Sequence, residues 1–83
     1  MKHLILVYPL PIDETVDERH ASLLLLNFAG HIQRRNLPSA GVVKLPGGPL
    51  LIDREISESV LGQIYRCAEQ SEMKLKLRFL TEH

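Results

Sequence analysis

Histidines and carboxylates are the residues through which this chain could bind a metal or transfer a proton. The histidines, His3, His20, His31 and His83, do not have the spacing of metal ligands. The densest acidic segment contains Asp13, Glu14, Asp17 and Glu18. Asp17 and His20 could share a helical face, but two ligands do not make a site. We therefore predict no metal, and we interpret the acidic residues as favourable charge near a helix N-terminus.

The remaining reactive residue types also favour structural roles. Cys67 is the one cysteine of the chain, and it borders a predicted apolar helical stripe, which favours a small buried residue over a reactive thiol. No serine lies in a nucleophile-elbow pattern. The glycines of residues 46–49 match neither a P-loop nor a dinucleotide fingerprint and predict a hairpin turn. We therefore predict no catalytic residues and no cofactor.

Size and composition favour association over enzymatic activity. The chain has 83 residues, which predicts a single domain over residues 1–83, and its hydrophobic content of 45% is too high for disorder. A core this small is marginal and often gains stability by association. Ten acidic and ten basic side chains give a formal net charge of zero, which argues against a duplex DNA or membrane-surface binder and favours self-association.

The apolar runs predict neither a membrane span nor a signal peptide. Residues 4–7 and 23–26 are far too short to cross a bilayer. No small-residue cleavage site follows the first run, and acidic residues come soon after it. A single cysteine excludes an intramolecular disulfide, which fits a reducing compartment. We predict a cytoplasmic protein that does not bind membranes.

The first half of the chain predicts a strand and a long helix. Residues 3–8 are apolar nearly throughout, which is typical of a strand buried on both faces, and Pro9 and Pro11 are expected to end it. Thr15 is the predicted N-cap of a helix over residues 16–35, with Glu18 completing a capping box. Asn36 can close this helix, and the proline that follows forbids its continuation.

The second half predicts a hairpin, a helix and an edge strand. Short apolar strands at residues 42–45 and 50–52 flank the glycine-rich turn. Ser57 is the predicted N-cap of a helix over residues 58–72. Residues 74–80 alternate, so that Leu75, Leu77 and Phe79 face one way and Lys74, Lys76 and Arg78 the other. Lysines on one face are typical of a protected sheet edge.

The predicted order of elements is β-α-β-β-α-β. This order favours an α+β fold of ferredoxin-like type, a two-layer sandwich with a four-stranded antiparallel sheet and two helices on one face. In that topology the first and third strands are central and the fourth is an edge. The apolar first strand and the basic last strand agree with these places.

Four successive leucines, residues 23–26, point in every direction around the first helix. Leu23 and Leu26, with Gly30 on their side, lie outside the predicted core stripe, which consists of Ala21, Leu24, Leu25, Phe28, Ala29 and Ile32. Three interpretations stay open. The two leucines are simply exposed, the loop of residues 9–12 covers them, or they form a partner-binding surface.

The uncovered face of the sheet is a second predicted surface. The helices cover one face only, yet the first strand is apolar on both sides. We expect several of His3, Ile5, Val7 and Ile52 on the uncovered face, beside Lys74, Lys76 and Arg78. An apolar centre with a basic rim is typical of an interface. The predicted partner-binding residues are therefore Leu23, Leu26, Gly30, Ile5, Val7, Lys74, Lys76 and Arg78.

These patterns predict a small non-enzymatic regulator, adaptor or inhibitor that binds protein, as a homodimer. The alternative is a nucleic-acid-binding protein that uses the basic face of the last strand, with Arg34 and Arg35 as further contacts. The order of elements resembles that of the Cas2-like group of small dimeric nucleic-acid proteins, which implies weak nuclease activity for that alternative. The resemblance is one of topology, since Pro9 stands where that group has an acidic metal ligand after the first strand. A small-ligand sensor at a dimer interface is a third hypothesis.

Overall fold

A computed structural model describes residues 3–81 of the chain. In chain order the elements are β1 (His3–Pro11), α1 (Glu18–Arg34), a 3-10 turn (Leu37–Ala40), β2 (Val43–Lys44), β3 (Leu50–Asp53), α2 (Glu58–Gln70) and β4 (Met73–Thr81). The strands form one four-stranded sheet in the order β2-β3-β1-β4, and every neighbouring pair is antiparallel. The predicted ferredoxin-like sandwich is confirmed, with β1 and β3 central and β4 at an edge.

The first strand is longer than predicted because its prolines do not end it. β1 continues to Pro11, which lies opposite Met73 of β4. On its other side, β1 pairs with β3 only as far as Val7 opposite Leu50. Beyond Val7 the strand has a single neighbour among the strands of residues 3–81. A proline, which has no N–H to donate, is tolerated where one side of a strand is unpaired.

The first helix begins two residues later than predicted, because the predicted N-cap residue is hydrogen-bonded to an earlier side chain and a later residue caps the helix. Thr15 donates its backbone N–H and its hydroxyl to Asp13 Oδ1, at 2.9 and 2.6 Å. Asp17 is the observed N-cap, and its Oδ1 accepts from the backbone nitrogen of His20 at 2.8 Å. A carboxylate also suits the positive end of the helix dipole.

The other helix boundaries follow the predicted signals closely. Arg35 is the C-cap of α1, and Asn36 follows it in the left-handed region at φ 56°. Ser57 caps α2 as predicted, since its side chain accepts from the backbone nitrogen of Val60 at 3.3 Å. The second helix ends at Gln70, two residues early, and the left-handed Glu72 turns the chain into β4.

The core lies between the two helices and one face of the sheet. Phe28 and Ile32 of α1 are buried, and Leu24 and Leu25 pack against the core, as the predicted stripe requires. Cys67 is also fully buried, which confirms it as a small apolar residue, and burial raises the pKa of its thiol. The buried residues are mainly aliphatic: Ile5, Val7, Phe28, Ile32, Leu37, Val42, Leu50, Ile52, Ile64, Cys67, Ala68 and Met73.

The turn between β2 and β3 contacts the first helix. Leu45 donates its N–H to the carbonyl of Pro49 at 2.8 Å, which closes the predicted hairpin. Gly48 has a φ of 106°, and a Cβ at this position would lie 2.7 Å from Leu25 Cδ2. A glycine at residue 48 therefore permits both the turn and the approach of the hairpin to α1.

We expect Gly48→Ala to destabilise the fold more than Gly41→Ala. Gly41 also has a positive φ, of 100°, but within residues 3–81 no atom beyond its two chain neighbours lies within 4 Å of its Cβ position. Backbone strain alone should cost Gly41→Ala about 1 kcal/mol, and crowding against Leu25 should add about 1–3 kcal/mol for Gly48→Ala. Urea unfolding of both variants measures the difference. Equal losses of unfolding free energy in the two variants would show that a Cβ at residue 48 is not crowded by Leu25.

Candidate partner-binding surface

The side chains of the sheet that point away from the helices form one continuous surface, which we call the open face. Residues opposite each other on antiparallel strands share a face, and Leu6 lies opposite both Leu51 and Arg78. The same alternation along each strand identifies the other residues of the open face. The open face contains Val43 of β2, Leu51 and Asp53 of β3, Leu4, Leu6, Tyr8 and Leu10 of β1, and Lys74, Lys76, Arg78 and Leu80 of β4.

The predicted residues of β1 lie on the other face. Ile5 and Val7 are 6% and 0% exposed and pack under the helices. Ile52 is opposite Ile5 and equally buried, and His3 belongs to the same side by alternation. The prediction that these residues lie on the uncovered face is therefore wrong. Both sets of alternating residues in β1 are apolar, so the strand itself does not reveal which set faces the helices.

The open face has an apolar centre beside a basic edge. Leu4, Leu6 and Leu51 are half-buried although no helix of residues 3–81 covers them, and Val43 at the β2 edge is 52% exposed. Tyr8 lies opposite Lys76 in the register of β1 with β4. The kind of surface predicted from the sequence is thus present, with different β1 residues at its centre.

The three basic residues of this edge differ in their surroundings, because Lys74 is paired with an acidic side chain. Lys74 Nζ donates to Glu14 Oε1 at 2.9 Å, in an ion pair whose side chains are 47% and 80% exposed. This hydrogen bond lowers the pKa of the Glu14 carboxyl. An exposed pair contributes little to stability, but it offsets the charge of Lys74. Lys76 and Arg78 are exposed on the same edge.

Arg34 and Arg35 do not join this basic edge. They lie at the C-terminal end of α1, in the helix layer. Arg35 Nη2 donates to Gln70 Oε1 of α2 at 3.4 Å, and Arg34 Nη2 lies 3.1 Å from His31 Nδ1. Because the helices cover the opposite face of the sheet, the predicted combined basic stripe is not formed.

The acidic segment before α1 forms local turns and caps. The hydrogen bonds from Thr15 lower the pKa of Asp13, and Asp17 accepts from the backbone of His20 rather than from its imidazole. Within residues 3–81, no three histidine, cysteine or carboxylate side chains are grouped so as to hold a metal ion. His83 lies outside the described residues. Of the four acidic residues that we interpreted as charge near a helix N-terminus, Asp17 and Glu18 lie at the start of α1.

Leu23 and Leu26 are exposed on the outer side of α1. Their exposed fractions are 61% and 68%, so the loop of residues 9–12 does not cover them. Gly30 is half-buried beneath a guanidinium, since a Cβ there would lie 3.2 Å from Arg34 Nη1. Two of the three interpretations stay open for these leucines: simple exposure and partner contact.

A groove between α1 and the β2–β3 hairpin was not predicted. Its volume is about 500 Å³, and Leu26 contributes to its wall. Gly48 of the turn and Leu25 of α1 both line it. The two consecutive glycines predicted the turn that forms one side of this groove. Their local spacing does not show which element the turn will contact.

Phe79, which belongs to the apolar face predicted for the last strand, is 63% exposed. It is on the helix side of β4, opposite Ile5, but β4 has nine residues and α2 has thirteen. A strand of that length spans about 30 Å, whereas the helix spans about 20 Å. The far end of the strand therefore extends past the helix. The Arg54 guanidinium lies 6.0 Å from the Phe79 ring centroid, within cation–π range.

Comparison with known proteins supports the fold. No family model and no curated protein matches the chain. Among solved structures, the crystal structure of protein SP2199 from Streptococcus pneumoniae is similar, with a TM-score of 0.62 and 16% sequence identity over 100% of this chain and 89% of that one. At this identity the likeness shows a shared fold. No helix within residues 3–81 is long and apolar enough to cross a membrane.

We expect the pKa of Glu14 to rise when Lys74 is replaced by glutamine, because the hydrogen bond from Lys74 stabilises the carboxylate. The folded-state pKa lies below the unfolded value, so this stabilisation is present near neutral pH and is lost as the pH falls through the folded-state pKa. An NMR titration of the Glu14 side-chain carboxyl carbon measures the change. Lys76→Gln is the matched control and should leave that pKa near its wild-type value.

Proposed function

We propose that this chain is a non-enzymatic protein-binding module that forms a homodimer through the open face and acts as a regulator, adaptor or inhibitor in a reducing, cytoplasmic compartment. One observation carries the proposal. The apolar residues Leu4, Leu6 and Leu51 are adjacent at the centre of a sheet face that no element of the described chain covers. A contiguous apolar patch bordered by charge is typical of an interaction site.

The size of the open face suits a small dimer interface. β1 and β4 have nine residues each, β3 has four and β2 has two. At about 3.3 Å per residue and about 4.8 Å between strands, the sheet presents about 400 Å² in projection, and side-chain relief enlarges this area. A standard interface buries about 800 Å² per partner. Full burial of a leucine contributes about 2 kcal/mol relative to exposure, so even partial further burial of several leucines favours association.

The placement of charge selects one arrangement of the two copies. Lys74, Lys76 and Arg78 all lie on β4, at one edge of the sheet. A two-fold axis perpendicular to the strands would stack β4 on β4 and bring like charges together. An axis parallel to the strands places β4 over β2 of the other copy, where Val43 is exposed. We therefore propose the second arrangement, in which both copies use the same surface.

Two other ways to dimerise are less favourable. Pairing β4 with β4 across the open edge would place the three basic residues of each copy beside those of the other. Leu23 and Leu26 on α1 offer a narrower apolar surface, since their helical neighbours His20 and Asn27 are polar and exposed. The open face combines the larger apolar area with a charge arrangement that avoids repulsion.

Sedimentation velocity at micromolar concentrations tests the dimer. We expect the wild-type chain to sediment as a dimer and Leu6→Glu/Leu51→Glu to sediment as a monomer, because two carboxylates would be buried at the centre of the interface. Leu23→Glu/Leu26→Glu introduces the same charges on α1 and should leave the dimer intact. A monomeric wild-type chain, or dissociation only in the helix variant, would contradict the proposal.

A second candidate function rests on the aromatic residue of the open face. Tyr8 is half-buried, and with Lys76 and Arg78 it lines a shallow depression at the β4 edge. An aromatic ring beside basic side chains is the arrangement with which sheet surfaces stack single-stranded bases and contact phosphates. Single-stranded RNA is therefore the nucleic acid that this surface would suit.

Salt-dependent binding to a single-stranded RNA tests the second candidate. We expect Lys76→Ala/Arg78→Ala to weaken binding at least tenfold and to reduce its dependence on salt concentration. Arg34→Ala/Arg35→Ala removes the same charge from the helix layer and should have little effect. No measurable binding at low salt, or an equal loss in both variants, would exclude RNA recognition by the open face.

A further inference from the structure

The groove between α1 and the hairpin is a concave site on the opposite side of the sheet from the open face. Its volume is about 500 Å³, within the range of pockets that bind small molecules. Its wall is mainly apolar: Ser22, Leu25, Leu26, Phe28, Ala29, Lys44, Leu45, Gly47, Gly48 and Leu50. Among the described residues, Lys44 is the one ionisable side chain in that wall.

The position of Lys44 is unusual for a charged residue. It lies opposite the buried Leu50 in the pairing of β2 with β3, so its side chain emerges on the core side of the sheet. Its Nζ donates to Gln33 Oε1 of α1 at 3.4 Å. An ammonium group has three N–H donors, and this hydrogen bond uses one. The ammonium group is thus held where β2 faces α1, at the border of an apolar groove.

A charged residue on the inner side of an edge strand can also serve to prevent aggregation. That role needs only an exposed charge at the edge. It does not require an apolar groove of about 500 Å³ beside the charge, nor the glycine at residue 48 that lets the turn approach Leu25. The combination of groove and cation favours a ligand that has an apolar body and one anionic end.

We propose that this groove binds a small molecule with an apolar body and a terminal carboxylate, with the carboxylate paired to Lys44. The apolar body contacts the leucine and phenylalanine side chains of the wall and loses its contact with water. The carboxylate accepts a charge-assisted hydrogen bond from the ammonium group. The site lies on the helix side of the sheet and does not depend on the function proposed for the open face.

Titration calorimetry with decanoate and with decanol tests this proposal. Decanol has the same apolar chain without the charge. We expect wild-type protein to bind decanoate at a single saturable site, at least tenfold more tightly than decanol. In Lys44→Glu the affinity for decanoate should fall at least tenfold and that for decanol should change little. Arg66→Glu makes the same charge change on the exposed side of α2, outside the groove wall, and should bind decanoate as the wild-type protein does.

Methyl NMR locates the bound probe independently of any substitution. Decanoate should shift the methyl signals of Leu25, Leu45 and Leu50 in the groove and leave those of Leu6 and Leu51 on the open face unchanged. Absence of saturable binding overturns the proposal, as do shifts confined to the open face or an equal loss of affinity in the Lys44 and Arg66 variants. If Lys44→Glu proves unfolded by circular dichroism, the methyl shifts and the comparison with decanol in wild-type protein decide the question.

Discussion

Two helices cover one face of a sheet whose central strands are apolar on both faces. The core takes Ile5 and Val7 from β1, and the alternation of the strand then places Leu4 and Leu6 on the opposite side. A shift of β1 by one residue would exchange the two sets of side chains between the faces of the sheet. No register of β1 can therefore bury both sets under the helices. The surplus apolar surface is thus a consequence of the strand's composition in a two-layer fold, and the proposal of self-association depends on it.

Features that depend on local chemistry could be predicted from the sequence. The two faces of β4 differ chemically, so the outward direction of Lys76 and Arg78 followed from alternation alone. Ser57 and Asn36 marked helix boundaries because a cap or a left-handed turn is made by the residue itself and its near neighbours. The order of these elements was then sufficient to predict the ferredoxin-like topology.

Features that depend on distant residues could not be predicted in the same way. The orientation of β1 is decided by its register with β4, in which Leu6 meets Arg78 and Ile5 meets Phe79. The start of α1 depends on which hydrogen bond Thr15 makes. Thr15 donates to Asp13, and Asp17 caps the helix in its place. The groove lies between Gly48 and Leu25, residues more than twenty positions apart in sequence, and no local pattern expresses that proximity.

The two proposed surfaces are connected through the shortest strand of the sheet. β2 has two residues, of which Val43 belongs to the open face and Lys44 to the groove, and β3 divides Leu51 and Leu50 in the same way. A hairpin with so few ladder pairs belongs to the less stable part of the fold. A ligand that binds Lys44 therefore restrains the same backbone that borders the open face. The side chains themselves point to opposite faces of the sheet, so a ligand in the groove and a second copy on the open face do not compete for the same side chains.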